Sequence, residues 1–119
     1  MKSFFFSTLF LFVSFISFSQ EAVIASEEAL LKSVAAGSIS MILPEGVSAD
    51  DVQLYSKYYT SNFETEFDSG SSKVTFNMVQ NDAKSRMVIM RFLGANKIAN
   101  VKVGTKTLSV LDFYNNYLK

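Results

Sequence analysis

The sequence predicts an α+β domain, with helices packed on one face of a four-stranded antiparallel meander sheet and a short helix at the C-terminus. Three observations predict it. Apolar residues recur at helical spacing in the first half of the chain, and the pattern switches to a period of two after Asn62. Short polar turns then separate successive apolar runs, which is how a meander is written in sequence. With 119 residues there is room for one domain, and with no Cys its core must be held by packing alone.

In chain order, residues 22–36 read as a first helix, because Val23, Ile24, Leu30, Leu31, Val34 and Ala35 form one apolar stripe. Ser26 ahead of Glu27 and Glu28 could instead open a shorter helix, and Gly37 closes either version. Ser38 to Leu43 is a short strand ended by the Pro44-Glu45-Gly46 turn. A second helix runs from Ala49 to Tyr59, capped by Ser48 with Asp51 three residues on. Phe63, Thr65 and Phe67 alternate with Glu64, Glu66 and Asp68 in a strand with one dry and one wet face. After the Ser69–Ser72 loop, Val74, Phe76 and Met78 mark its antiparallel partner. Arg86 to Leu93 is apolar on both faces apart from its arginines and reads as the central strand. Lys97 to Val103 is the fourth strand, Gly104 to Lys106 breaks the pattern, and Ser109 caps a last helix from Val110 to Leu118.

Residues 1–19 read as an export signal. Lys2 is a short positive start, Phe4 to Phe18 is apolar, and Ser17 and Ser19 set a small-x-small cleavage pattern before Gln20. Seven of the twelve Phe residues belong to this leader, whose apolar run is shorter than the roughly 20 residues a membrane-spanning helix needs. The expected product is residues 20–119, periplasmic or secreted, touching a membrane only through the signal before cleavage.

Composition excludes several function classes. The 11 basic and 11 acidic residues balance, so the clustered positive excess of a nucleic-acid binder is missing. Absent His and Cys remove the usual general base, the thiol nucleophile and the commonest metal ligands, and no cofactor motif stands out. Asp50 and Asp51 sit at a helix start, where capping explains them. Glu64, Glu66 and Asp68 line one strand face and could hold a calcium ion, but an exposed polar face explains them without one. Ser71 and Ser72 have no His to activate them, and Arg86 and Arg91 would point to opposite faces of a strand.

The stretch from Val47 to Val103 resembles a family of small secreted proteins of unknown function from Bacteroidota with an NTF2-like (cystatin-like) α+β fold. The residues that carry the resemblance are Ser48-Ala49-Asp50-Asp51, Tyr58-Tyr59, Phe63 with Phe67, the Gly70-Ser71-Ser72 turn, and the runs Met87–Leu93 and Ile98–Val103. The leader ending Phe18-Ser19-Gln20 is similar to export signals of that group. The resemblance implies a helical layer over a sheet, with a conical cavity that the short span from Gly37 to Val47 would shrink. In NTF2-like isomerases Tyr hydroxyls and an Asp stabilise an enolate.

Two functions follow as expectations. The first is an exported, non-catalytic binding module whose partner is a protein or an apolar small molecule, held between helices and sheet by Tyr55, Tyr59, Phe63, Phe67, Met78 and Met90. The second is a small hydrolase or isomerase that pairs an Asp or Glu with a Tyr. A closed apolar pocket around one buried carboxylate would favour the enzyme; a filled interior with the acids outside favours the binding module.

Overall fold

The computed structural model describes residues 20–119; the expected export signal lies outside them. The chain order is β1 (Glu21–Ile24), α1 (Glu27–Ala36), β2 (Ser38–Ile42), α2 (Ala49–Ser56), a 3-10 turn (Lys57–Tyr59), β3 (Phe63–Asp68), β4 (Lys73–Met78), α3 (Ala83–Ala95), β5 (Asn100–Val103), β6 (Lys106–Ser109) and α4 (Val110–Phe113), which runs on into a π-helical turn (Tyr114–Leu118). The α+β class holds. The sheet, however, has six strands in the order β3-β4-β2-β1-β5-β6, and β1 pairs parallel with β5 while every other pair is antiparallel.

The expected meander is corrected at three places. Residues 22–36 are not one helix: Ala22 and Ile24 are buried while Val23 points out, so the first four residues alternate as β1, and α1 starts behind Ser26. The Ser26 hydroxyl accepts from the Ala29 N–H and Gly37 closes the helix at φ 78°, the shorter of the two expected versions. The run Arg86 to Leu93 is not a strand but the middle of α3. Asp82, which looks like a turn residue, is its N-cap: the carboxylate accepts from the Ser85 N–H at 2.7 Å. From there Ser85, Ile89, Phe92 and Leu93 bury one helical stripe, and Met, Arg and Leu are good helix formers. Finally, Lys106–Ser109 is a strand, joined to β5 by a two-residue hairpin whose first central residue, Gly104, sits at φ 61°.

One face of the sheet is buried. Ala22 and Ile24, Ile39 and Met41, Val74 and Phe76, and Val101 and Val103 all belong to one core with Leu30 of α1, Val52 of α2, Ile89 and Phe92 of α3, and Phe113 and Leu118 of the last helix. At its centre Phe63, Phe76 and Phe92 meet edge to face, with ring centroids 5.0, 6.2 and 5.2 Å apart. On the opposite face the Ser40 and Thr75 hydroxyls bond at 2.8 Å, and the Ser38 hydroxyl donates to the Asn77 side-chain Oδ1 at 3.1 Å. Among the described residues no helix is long and apolar enough to cross a membrane.

Candidate functional site

The six residues expected to line a ligand site do not line one together. Phe63 is fully buried in the aromatic centre, and Tyr55, Tyr59, Phe67, Met78 and Met90 are half-buried and packed against the same core. The interior between helices and sheet is filled by its own side chains. Among the described residues only Ser85 and Asn96 of the polar residues are buried, and every buried side-chain nitrogen or oxygen has a hydrogen-bond partner. All described carboxylates lie at or near the surface.

The concavity sits outside, at the end of the sheet. A groove of about 490 Å³ runs between α2 and β3. Ala49, Val52, Gln53 and Ser56 form its helical wall, because residues three and four apart share a helix face. Its other wall is the dry face of β3, with Phe63, Thr65 and Phe67, and Lys57, Thr60 and Glu64 stand at its rim. The walls are tied by the Ser56 and Thr65 hydroxyls at 2.7 Å; Ser56 donates to the Val52 carbonyl, which leaves Thr65 to donate to Ser56. Of the six expected residues, the groove gathers Phe63 and Phe67; Tyr55 borders a separate depression of about 280 Å³ with Asp51, Asn96 and Lys97.

Among the described residues strand β3 is also an edge of the sheet, and the register fixes which of its backbone groups they leave unpaired. In an antiparallel pair, residues alternate between exchanging hydrogen bonds with the neighbour and pointing them away. The Val79 N–H donates to the Asn62 carbonyl at 3.0 Å, which makes Asn62–Val79 a bonded pair. Stepping by two along the register, Glu64, Glu66 and Asp68 bond to β4. The N–H and C=O of Thr65 and Phe67 therefore project from the free edge, beside the groove. Their side chains face the groove, whereas Glu64, Glu66 and Asp68 stand in a row on the open face.

A third concavity, of about 320 Å³, lies where α1 meets strands β1 and β2. Val23, Leu30, Met41 and Ile42 line it, with Lys73 at its rim.

The other candidate groups have structural work. The Ser48 hydroxyl accepts from the Asp51 N–H, so this acidic pair belongs to a helix start. Arg86 holds α3 against the C-terminal turn, donating to the Leu118 carbonyl at 2.6 Å and to Asn81 at 2.7 Å. Asp82 is held below the usual carboxylate range by the Ser85 N–H and hydroxyl, helped by Arg86 and Lys84. The Tyr117 hydroxyl donates to Glu27 at 3.1 Å at an exposed site, and desolvation with that carboxylate beside it pushes its pKa up. Among the described residues no group of three or more acids gathers as a metal site.

The signal for the groove was present in the sequence. Alternation makes β3 legible, and its wet face reads as a polar surface. What could not be read was that β3 ends the sheet, because that depends on which strands are its neighbours. Comparison of the chain with protein-family models, curated proteins and solved structures gives no match in any of the three.

Proposed function

We propose that this chain is an exported, non-catalytic binding module of the cell envelope that docks a partner in the groove between α2 and the free edge of β3. The observation that carries the reading is the contrast between a filled interior and an outer groove bordered by unpaired backbone groups. The proposal includes removal of residues 1–19, membership of the secreted group that the sequence resembles, and periplasmic or extracellular residence. The enzymatic alternative, an acid paired with a Tyr, finds its nearest geometry in Tyr117 and Glu27, which lie open to water rather than in a closed pocket.

A photo-crosslinking residue placed at Gln53, exposed on the groove wall, tests this in intact cells. A discrete adduct from Gln53, and none from the exposed Leu111 on α4, is the expected result. Equal labelling from both positions, or none from either, overturns it. A second reading is favoured by the largely apolar depression beside α1, which would suit a small amphipathic anion such as a fatty acid against Lys73. Displacement of a bound hydrophobic dye by fatty acid, lost in Lys73→Glu, is its signature.

A further inference from the structure

We propose that the groove receives an extended segment of another protein, with Lys or Arg at alternate positions, which adds to β3 as a further strand of the sheet. The proposal rests on the binding reading above and names its partner's chemistry. Among the described residues the edge offers four unpaired groups in a row, the N–H and C=O of Thr65 and of Phe67, spaced to bond an added strand. Phe63 repeats the pattern, but it is fully buried and its backbone is closed to a partner.

Side chains of an added strand alternate between two surroundings. Those on one side enter the groove and meet Val52 and Phe67; those on the other lie beside Glu64, Glu66 and Asp68. The first set of positions therefore selects apolar residues and the second selects cations.

The wider charge distribution points the same way. Residues 45–68 hold six of the eleven acids (Glu45, Asp50, Asp51, Glu64, Glu66 and Asp68) and one cation, Lys57, although the whole chain balances. Lys73 stands directly opposite Asp68 across the ladder, yet none of the three β3 acids forms an ion pair among the described residues. Antiparallel pairing of β3 with the same strand of a second copy would set this acidic row against itself, and like charges across a ladder repel. The row thus keeps the edge from joining its own kind and leaves it open to a cationic strand.

The test uses the protein with a peptide of about seven residues, alternating Lys and Val. Backbone amide exchange is read residue by residue. At a peptide concentration about 100 times Kd, exchange at the Thr65 and Phe67 amides is expected to slow about 100-fold. Affinity is expected to fall as salt rises. The double variant Glu64→Lys, Glu66→Lys alters two exposed side chains, of which Glu64 also stands at the groove rim. It is expected to bind that peptide about ten-fold more weakly and to gain binding to an alternating Glu-Val peptide. Thr65→Pro removes an edge N–H that β4 does not use and is expected to abolish strand addition. Should that variant unfold, the charge reversal still decides.

Shifts at Gln53 and Ser56 without slowed exchange at Thr65 and Phe67 overturn strand addition while leaving the groove a docking site. No response in either set, together with no Gln53 adduct in cells, overturns both. Protection of Thr65 and Phe67 that grows with protein concentration in the absence of peptide overturns the proposal in favour of self-pairing.

Discussion

Phe76 touches both other rings of the aromatic centre, at 5.0 Å from Phe63 and 5.2 Å from Phe92, and is fully buried. Phe76→Ala removes both edge-to-face contacts and leaves a cavity, so it is expected to destabilise the fold by about 3–5 kcal/mol in a urea titration. Asp82 acts through charge. Its folded pKa is depressed, so its contribution is present above the unfolded carboxylate value and is lost as pH falls through the lower folded value. Asp82→Asn keeps a capping oxygen without the charge. Its thermal midpoint is expected to fall below that of the parent at pH 7 and to converge with it as pH falls through the depressed folded value. At this scale the sequence was readable wherever a residue type has one dominant use. The caps at Ser26, Ser48 and Ser109 each accept the hydrogen bond that their spacing announces. Asp82 has two common uses, in turns and at caps, and only the helix that follows, whose Ser85 N–H it accepts, decides between them.

α3 shows what an apolar run leaves undecided. The eight residues from Arg86 to Leu93 contain too many apolar positions for either period to stand out, so a buried strand and a buried helix look alike. Gly94 distinguishes them by experiment. It lies in the last turn of α3, is exposed, and an added Cβ there would meet nothing within 4 Å. Gly94→Ala is therefore expected to stabilise the protein by roughly 0.5–1 kcal/mol in thermal denaturation, as in a helix; a loss of stability would contradict the helix. In α2, Ser48→Ala is expected to lose about 1 kcal/mol through the cap, and it also loosens one wall of the groove. The β3–β4 hairpin was legible in full because both strands alternate cleanly and a short polar loop joins them. Strands β1 and β6 have four residues each, too few for a period to register, and both are made into strands by the neighbours they pair with.

At the scale of the molecule, the sheet order depends on contacts between residues far apart in sequence. β1 pairs with β5 across most of the chain, and this pairing puts β3 at one end of the sheet with its groove beside it. The apolar floor and the acidic row are each visible as separate residues, and long-range pairing supplies the free edge and gives them a common place. The direct measurement is amide exchange along β3 in the protein alone. Glu64, Glu66 and Asp68, bonded to β4, are expected to exchange slowly, while Thr65 and Phe67 exchange fast, an alternation residue by residue. Thr65 and Phe67 protected as strongly as their neighbours would mean that the edge is already covered and that no partner strand can add there.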